Sequence, residues 1–228
     1  MLLYYITDRH QLGTTEQEQR RNLLLRIGEA ARLGVDYIQL REKDLSIRQL
    51  EYLARDAVRC VRDNGAQTKL LINSRSDVAL AVGADGVHLT SIDIAASDAR
   101  AIAASANGNR QTTNWLIAAS CATPAAVRSA ESHGADFAVL APIFEKAGTD
   151  RTPLGLDALR IAAGVDVPVD RRVEAGDNRN HMPVLALGGV TLENAASCIE
   201  AGAGGIAGIR LFQQGDLKET VKRLRGTG

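Results

Sequence analysis

The chain has 228 residues, with 27 lysines and arginines balanced by 27 aspartates and glutamates, which leaves no broad field for nucleic acid or an anionic membrane. That length exceeds a small stapled scaffold and suits one domain with a sizeable core, read here as residues 1–228. Three cysteines, Cys60, Cys121 and Cys198, are odd in number and unevenly spaced, which argues against a disulfide framework and for a reducing, cytoplasmic setting. The N-terminal stretch MLLYYITDRH lacks the basic region of a signal peptide, and no apolar run approaches about 18 residues, so no membrane partner is expected.

In chain order, strands are predicted at 2–7 (LLYYIT), 36–41 (DYIQLR), 69–73 (KLLIN), 86–90 (GVHLT), 115–120 (WLIAAS), 136–141 (DFAVLA), 183–188 (PVLALG) and 205–209 (GIAGI). Helical patterns lie between them. Thr15 with Glu18, Ser46 with Gln49 and, with a weaker partner, Thr191 with Asn194 have the spacing of capping boxes. Four stretches, LGVDYIQL, VGADGVHL, HGADFAVL and AGAGGIAG, place a glycine where a helix would end and a strand begin. Strands alternating with helices imply right-handed βαβ units and a parallel sheet; eight of them predict an α/β fold, a (β/α)8 TIM barrel, with an open doubly wound sheet as the alternative.

In a barrel the chemistry lies at the carboxyl ends of the strands. Collected in order, those ends hold Thr7 and Asp8; Gln39, Arg41 and Lys43; Asn73, Ser74 and Arg75; His88 to Asp93; Ser120 and Cys121; the loop PIFEKAGTDRTPLG; Gly188 and Gly189; and Arg210. The stretch VDYIQLREKD poses the sharpest question, because alternation puts Gln39, Arg41 and Lys43 on one face and Ile38 and Leu40 on the other. Unpaired charge is costly to bury, so this face is either a strand end fraying into solvent or the seat of an anion. The irregular polar stretches 106–114 and 167–181 connect helices to following strands and should hang at the opposite end.

The set YYITDR, IQLREKD, LINSRSDVALAVGADGVHLTSID, APIF, PVLALGGVTLENA and AGAGGIAGIRLF resembles the thiamine phosphate synthase family and its thiazole tautomerase relatives, nearly end to end. The resemblance implies a barrel that joins an aminopyrimidine pyrophosphate to a thiazole phosphate with Mg2+ and releases pyrophosphate. It also implies that Gln39, Arg41 and Lys43 hold the pyrophosphate, with Arg41 and Lys43 carrying the catalysis. Asn73 and Ser120 would lie at the pyrimidine, Asp93 would bind the metal, and Gly188, Gly189, Ile209 and Arg210 would hold the second phosphate. The partners implied are phosphorylated small molecules, and a homo-oligomer is compatible with the sequence.

The chain departs from the family pattern at several positions. The acid usual after strand 3 is Ser74, so metal binding leans on Asp93, for which helix capping is the other reading. The Thr-x-Thr-Lys loop after strand 6 reads Glu145-Lys146-Ala147-Gly148-Thr149, leaving Lys146 or Thr149 to substitute. The histidine that the tautomerase relatives would use is Ala122, and Cys121 reads as a small buried hydrophobe. His88 reads as a hydrogen-bonded structural residue. A synthase is thus expected; a tautomerase-like isomerase and a barrel that binds a phosphometabolite without turnover are the alternatives.

Overall fold

A computed structural model of the chain describes residues 1–65, 67–106, 115–145, 151–165 and 182–227. Its eight parallel strands close into a barrel in sequence order, with β1 (Leu2–Ile6) paired to both β2 (Tyr37–Leu40) and β8 (Gly205–Gly208). Between them run β3 (Lys69–Asn73), β4 (Gly86–Leu89), β5 (Leu116–Cys121), β6 (Phe137–Leu140) and β7 (Val184–Ala186). All eight predicted runs are strands, with β3 as predicted, β5 shifted one residue onward and the others trimmed by a residue or two at their ends.

The helical layer comprises α1 (Glu16–Arg32), α2 (Ile47–Asn64), α3 (Ser76–Val82), α4 (Ala96–Ala106), α5 (Pro124–Ser132), α6 (Gly155–Ala162), α7 (Ala195–Glu200), α8 (Arg210–Gln213) and α9 (Leu217–Arg225). Helices α1 and α2 start with the expected reciprocal boxes, Thr15 with Glu18 and Ser46 with Gln49. The third expected box is displaced: Asn194 Oδ1 does accept from the Thr191 N–H at 2.8 Å, but α7 begins only at Ala195, after a turn. Among the described residues no helix is long and apolar enough to cross a membrane. The stretches expected below the barrel, 106–114 and 167–181, fall outside the described residues except for Ala106, the last residue of α4.

Alternation divides the core in two. Outward residues such as Leu3, Ile38, Leu40, Ile72, Val87 and Ile206 pack against helices, while Tyr4, Ile6, Leu71, Ala118, Phe137, Val139, Leu185 and Ala207 fill the barrel. Near the floor, Tyr37 stacks on Phe137 with centroids 4.7 Å apart, and Tyr4 meets both rings edge-on.

The helix-to-strand turns explain the repeated glycine motif. Gly34, Gly83, Gly134 and Gly202 all have positive φ, from +67° to +91°. In three of the four turns the aspartate two residues later turns its carboxylate onto the neighbouring strand. Asp36 accepts from the Leu3 N–H at 2.7 Å, Asp85 from Leu70 at 2.9 Å and Asp136 from Ile117 at 2.6 Å. Each of these carboxylates also meets a cation, Arg225, Lys69 or Arg100 respectively. In the fourth turn the corresponding residue is Gly204, whose N–H donates to the Val184 carbonyl but which has no side chain to return the bond.

Candidate active site

The inward residues at the upper end of the barrel form a chain of hydrogen bonds across its interior. Gln39 Nε2 donates to the Tyr4 hydroxyl at 3.0 Å, that hydroxyl lies 3.0 Å from His88 Nδ1, and His88 Nε2 lies 2.7 Å from Ser120 Oγ. Tyr4 is fully buried, and its phenol is held far above the usual tyrosine range by loss of solvent. It therefore keeps its proton, and the acceptor on hand is His88 Nδ1. That assignment puts the imidazole hydrogen on Nε2, where it donates to Ser120 and leaves the serine hydrogen free to point onward. Burial first, and the Arg41 charge second, push His88 down to about 3, so the ring is neutral near pH 7. The structural reading of His88 thus describes its partners well.

Strand β2 ends at Leu40, and alternation continues beyond it in burial: Arg41 is half-buried, Glu42 buried and Lys43 exposed. Gln39 lies inside the barrel at 1% exposure, below the two cations. Among the described residues no carboxylate lies within ion-pair distance of Arg41 or Lys43. The Lys43 ammonium is held below its usual range first by Arg41, then by burial and by Arg151. Three cations therefore crowd one rim. Arg151 was missed in the sequence because the strand-6 loop offered nearer basic and hydroxyl residues; its place as a further cation of that loop was the available signal. Lys146 and Thr149, the candidates in that loop, lie outside the described residues.

At the end of β3, Asn73 Nδ2 donates to Ser74 Oγ at 3.1 Å, and Ser74 takes a left-handed backbone with φ of +60°. Asp93 turns one oxygen, Oδ2, back to accept from the Thr90 N–H at 2.6 Å and the Thr90 hydroxyl at 2.8 Å. Asp93 therefore fastens its own loop and does not cap α4, contrary to the capping reading, while Oδ1 takes no hydrogen bond from the described residues. Among those residues no group of three or more His, Cys, Asp or Glu side chains gathers to hold a metal. Mg2+ bound chiefly by substrate phosphates needs only one or two protein carboxylates, and the free oxygen of Asp93 fits that donor set. Asp93 and Arg41 both act on His88, so the ends of β2 and β4 share one field.

After β7, Gly188 and Gly189 have φ of +91° and +67°, and a Cβ on Gly189 would stand 2.4 Å from the Glu145 carbonyl oxygen. Only glycine fits there. The pair abuts the β6 loop, with Phe144 N–H donating to the Gly188 carbonyl at 2.9 Å. Across β8, Ile209 is half-buried and precedes the single turn of α8, while Arg210 is exposed. Cys121 faces the outer core and its thiol is pushed up to about 11 by burial; Ala122 is exposed beside it. The site thus combines a neutral hydrogen-bonding floor, a cationic rim over β2 and β6, one available carboxylate at β4, and a glycine-lined edge at β7.

Residues 3–212 match the family model described as thiamine monophosphate synthase. A thiamine-phosphate synthase of Methanoculleus marisnigri is 34% identical over 227 residues, covering 98% of this chain and 93% of that protein. A relative from Geobacter sulfurreducens is 39% identical over 205 residues, 90% of this chain and 83% of its own length. Among solved structures, the thiamine phosphate pyrophosphorylase of Pyrococcus furiosus superposes with a TM-score of 0.75 at 28% identity, covering 99% of this chain and 94% of that one.

Proposed function

Because this chain belongs to the thiamine monophosphate synthase family, we propose that it is a transferase joining an aminopyrimidine diphosphate to a thiazole phosphate, giving thiamine phosphate and pyrophosphate. The observation that carries the reading at this site is the crowding of Arg41, Lys43 and Arg151 at one rim with no carboxylate partner among the described residues. Such a rim suits a ligand bearing several negative charges.

The chemistry asked of these residues is electrostatic. The bond between the pyrimidine methylene carbon and the diphosphate oxygen breaks, and its electron pair leaves on oxygen. A guanidinium fork and an ammonium at Arg41 and Lys43 stabilise that growing charge. The methylene carbon, left cationic and supported by the electron-rich aminopyrimidine, is captured by the thiazole nitrogen lone pair. Ser120, held in place by His88, presents a fixed hydroxyl to the pyrimidine, with Asn73 at the end of β3, while Gln39, held by Tyr4, joins Arg41 and Lys43 at the diphosphate. Backbone N–H groups at Gly188, Gly189 and Ile209, with Arg210, hold the thiazole phosphate. Lys146 and Thr149, which lie outside the described residues, are the substrate-binding candidates of the strand-6 loop. Asp93 would hold Mg2+, which when bound would supply further neutralisation of the leaving charge.

A tautomerase needs an acid or base that titrates near neutral pH, and His88 and Cys121 are both displaced far from it. That contrast supports transfer over isomerisation. Single-turnover formation of thiamine phosphate from both substrates and Mg2+, with Arg41→Ala as control, tests the assignment. Product that vanishes in the control supports it; no product from folded wild-type protein overturns it.

A further inference from the structure

The run Arg41-Glu42-Lys43-Asp44 alternates two cations with two acids, and such neighbours would ordinarily neutralise one another. They do not here, because both acids turn to Arg9 on the far side, where His10 Nε2 also lies 3.3 Å from Asp44 Oδ1. Arg9, in the 3-10 turn Arg9–Leu12 after β1, is 2% exposed despite its charge. Its Nη1 and Nη2 donate to the two oxygens of Asp44, each at 2.6 Å, and Nη1 also donates to Glu42 Oε2 at 3.2 Å. Its Nε and Nη2 donate to Glu16 at 3.1–3.3 Å.

Glu42 is bound from two further directions. It accepts from the Arg9 N–H at 3.1 Å and from the Thr7 hydroxyl at 2.6 Å, while Thr7 Oγ1 in turn accepts from the Arg41 N–H at 2.9 Å. Arg9 thus faces three carboxylates behind the β2 exit, and three cations with no carboxylate partner among the described residues stand in front of it. Were Arg9 absent, Asp44 and Glu42 would be the nearest anions in sequence to Lys43 and Arg41, and pairing with them would close the rim to a ligand.

We propose that Arg9 is a positioning residue that sequesters Glu42 and Asp44, so that Arg41 and Lys43 remain unpaired and face the diphosphate. This rests on the reading of the rim as the diphosphate site.

Calorimetric binding of inorganic pyrophosphate to wild type, Arg9→Met, Asp44→Asn and the double variant tests it without requiring turnover. Arg9→Met should bind about 10–100-fold more weakly, and adding Asp44→Asn should recover most of that loss, since the released acid is then neutral. The KM for thiazole phosphate should stay within about twofold of wild type in all of them. Unchanged binding in Arg9→Met, or a loss that Asp44→Asn does not recover, overturns the proposal, the second outcome marking Arg9 as a packing residue only. Should Arg9→Met not fold, Arg9→Lys with and without Asp44→Asn carries the same comparison. Wild-type protein that binds pyrophosphate without forming thiamine phosphate would remove the synthase reading and leave this one standing. Wild-type protein that binds no pyrophosphate would overturn this one.

Discussion

Tyr4 Oη and His88 Nδ1, 84 residues apart in the chain, meet at 3.0 Å inside the barrel. The contact fixes an imidazole that stays neutral well below its usual range. Folded His88 resists protonation down to about pH 3, whereas in the unfolded chain it binds a proton near 6.5. Its contribution to stability is therefore complete above pH 6.5 and lost as pH falls from there towards 3, with a slope of at most about 1.4 kcal/mol per pH unit. Urea denaturation from pH 7 to 4 should show this acid loss, and His88→Asn should flatten it by about one proton. An unchanged slope in the variant would place the titration elsewhere.

Arg41 has no carboxylate partner among the described residues and is only half-buried, so its removal should leave the fold intact. Arg41→Ala is expected to lower kcat/KM by about 100–1000-fold while Tm moves by less than about 3 °C. Thermal melting and steady-state kinetics on one preparation check both halves; a large fall in Tm would contradict the placement of the side chain.

Arg151 enters the site through the charge it imposes on Lys43. Arg151→Ala should raise the KM for the diphosphate substrate by about tenfold or more, as expected for a lost charge-assisted contact. Competition by inorganic pyrophosphate should weaken in parallel. Inhibition constants that match wild type would remove Arg151 from the anion site.

Ser74 occupies a left-handed backbone position, with φ of +60°, that aspartate also tolerates. Ser74→Asp would set a second carboxylate beside Asn73 and should lower the Mg2+ concentration for half-maximal activity, roughly several-fold, without loss of stability. Magnesium titration of turnover reads this directly; an unchanged midpoint would separate the β3 end from the metal.

The strands were legible because each is a short apolar run and four of them are entered through a glycine turn, as at Gly34 before Tyr37 and Gly83 before Gly86. Alternation also put Gln39 and Ile38 on opposite faces, and in the barrel Gln39 faces inward and Ile38 outward. What escaped was long-range or counter to ordinary burial. Nothing local joins Tyr4 to His88, and a charged residue just after a strand reads as solvated, which hid Arg9 among its three carboxylates. Asp93 was singled out by the sequence, but its attachment to Thr90 depends on a loop conformation that spacing does not encode.

The aspartates that follow the helix-end glycines divide the barrel into quarters. Asp36 rivets β1 to β2, Asp85 β3 to β4 and Asp136 β5 to β6, while β7 and β8 meet at Gly204 without a rivet. Strand β7 is also only three residues long. The last quarter is therefore the seam along which the cylinder should first part, at the low end of the range of local opening energies. Just beyond the upper end of that seam lie Gly188 and Gly189 after one strand and Ile209 and Arg210 after the other. A phosphate held between them would stitch closed the quarter that the chain itself leaves unfastened.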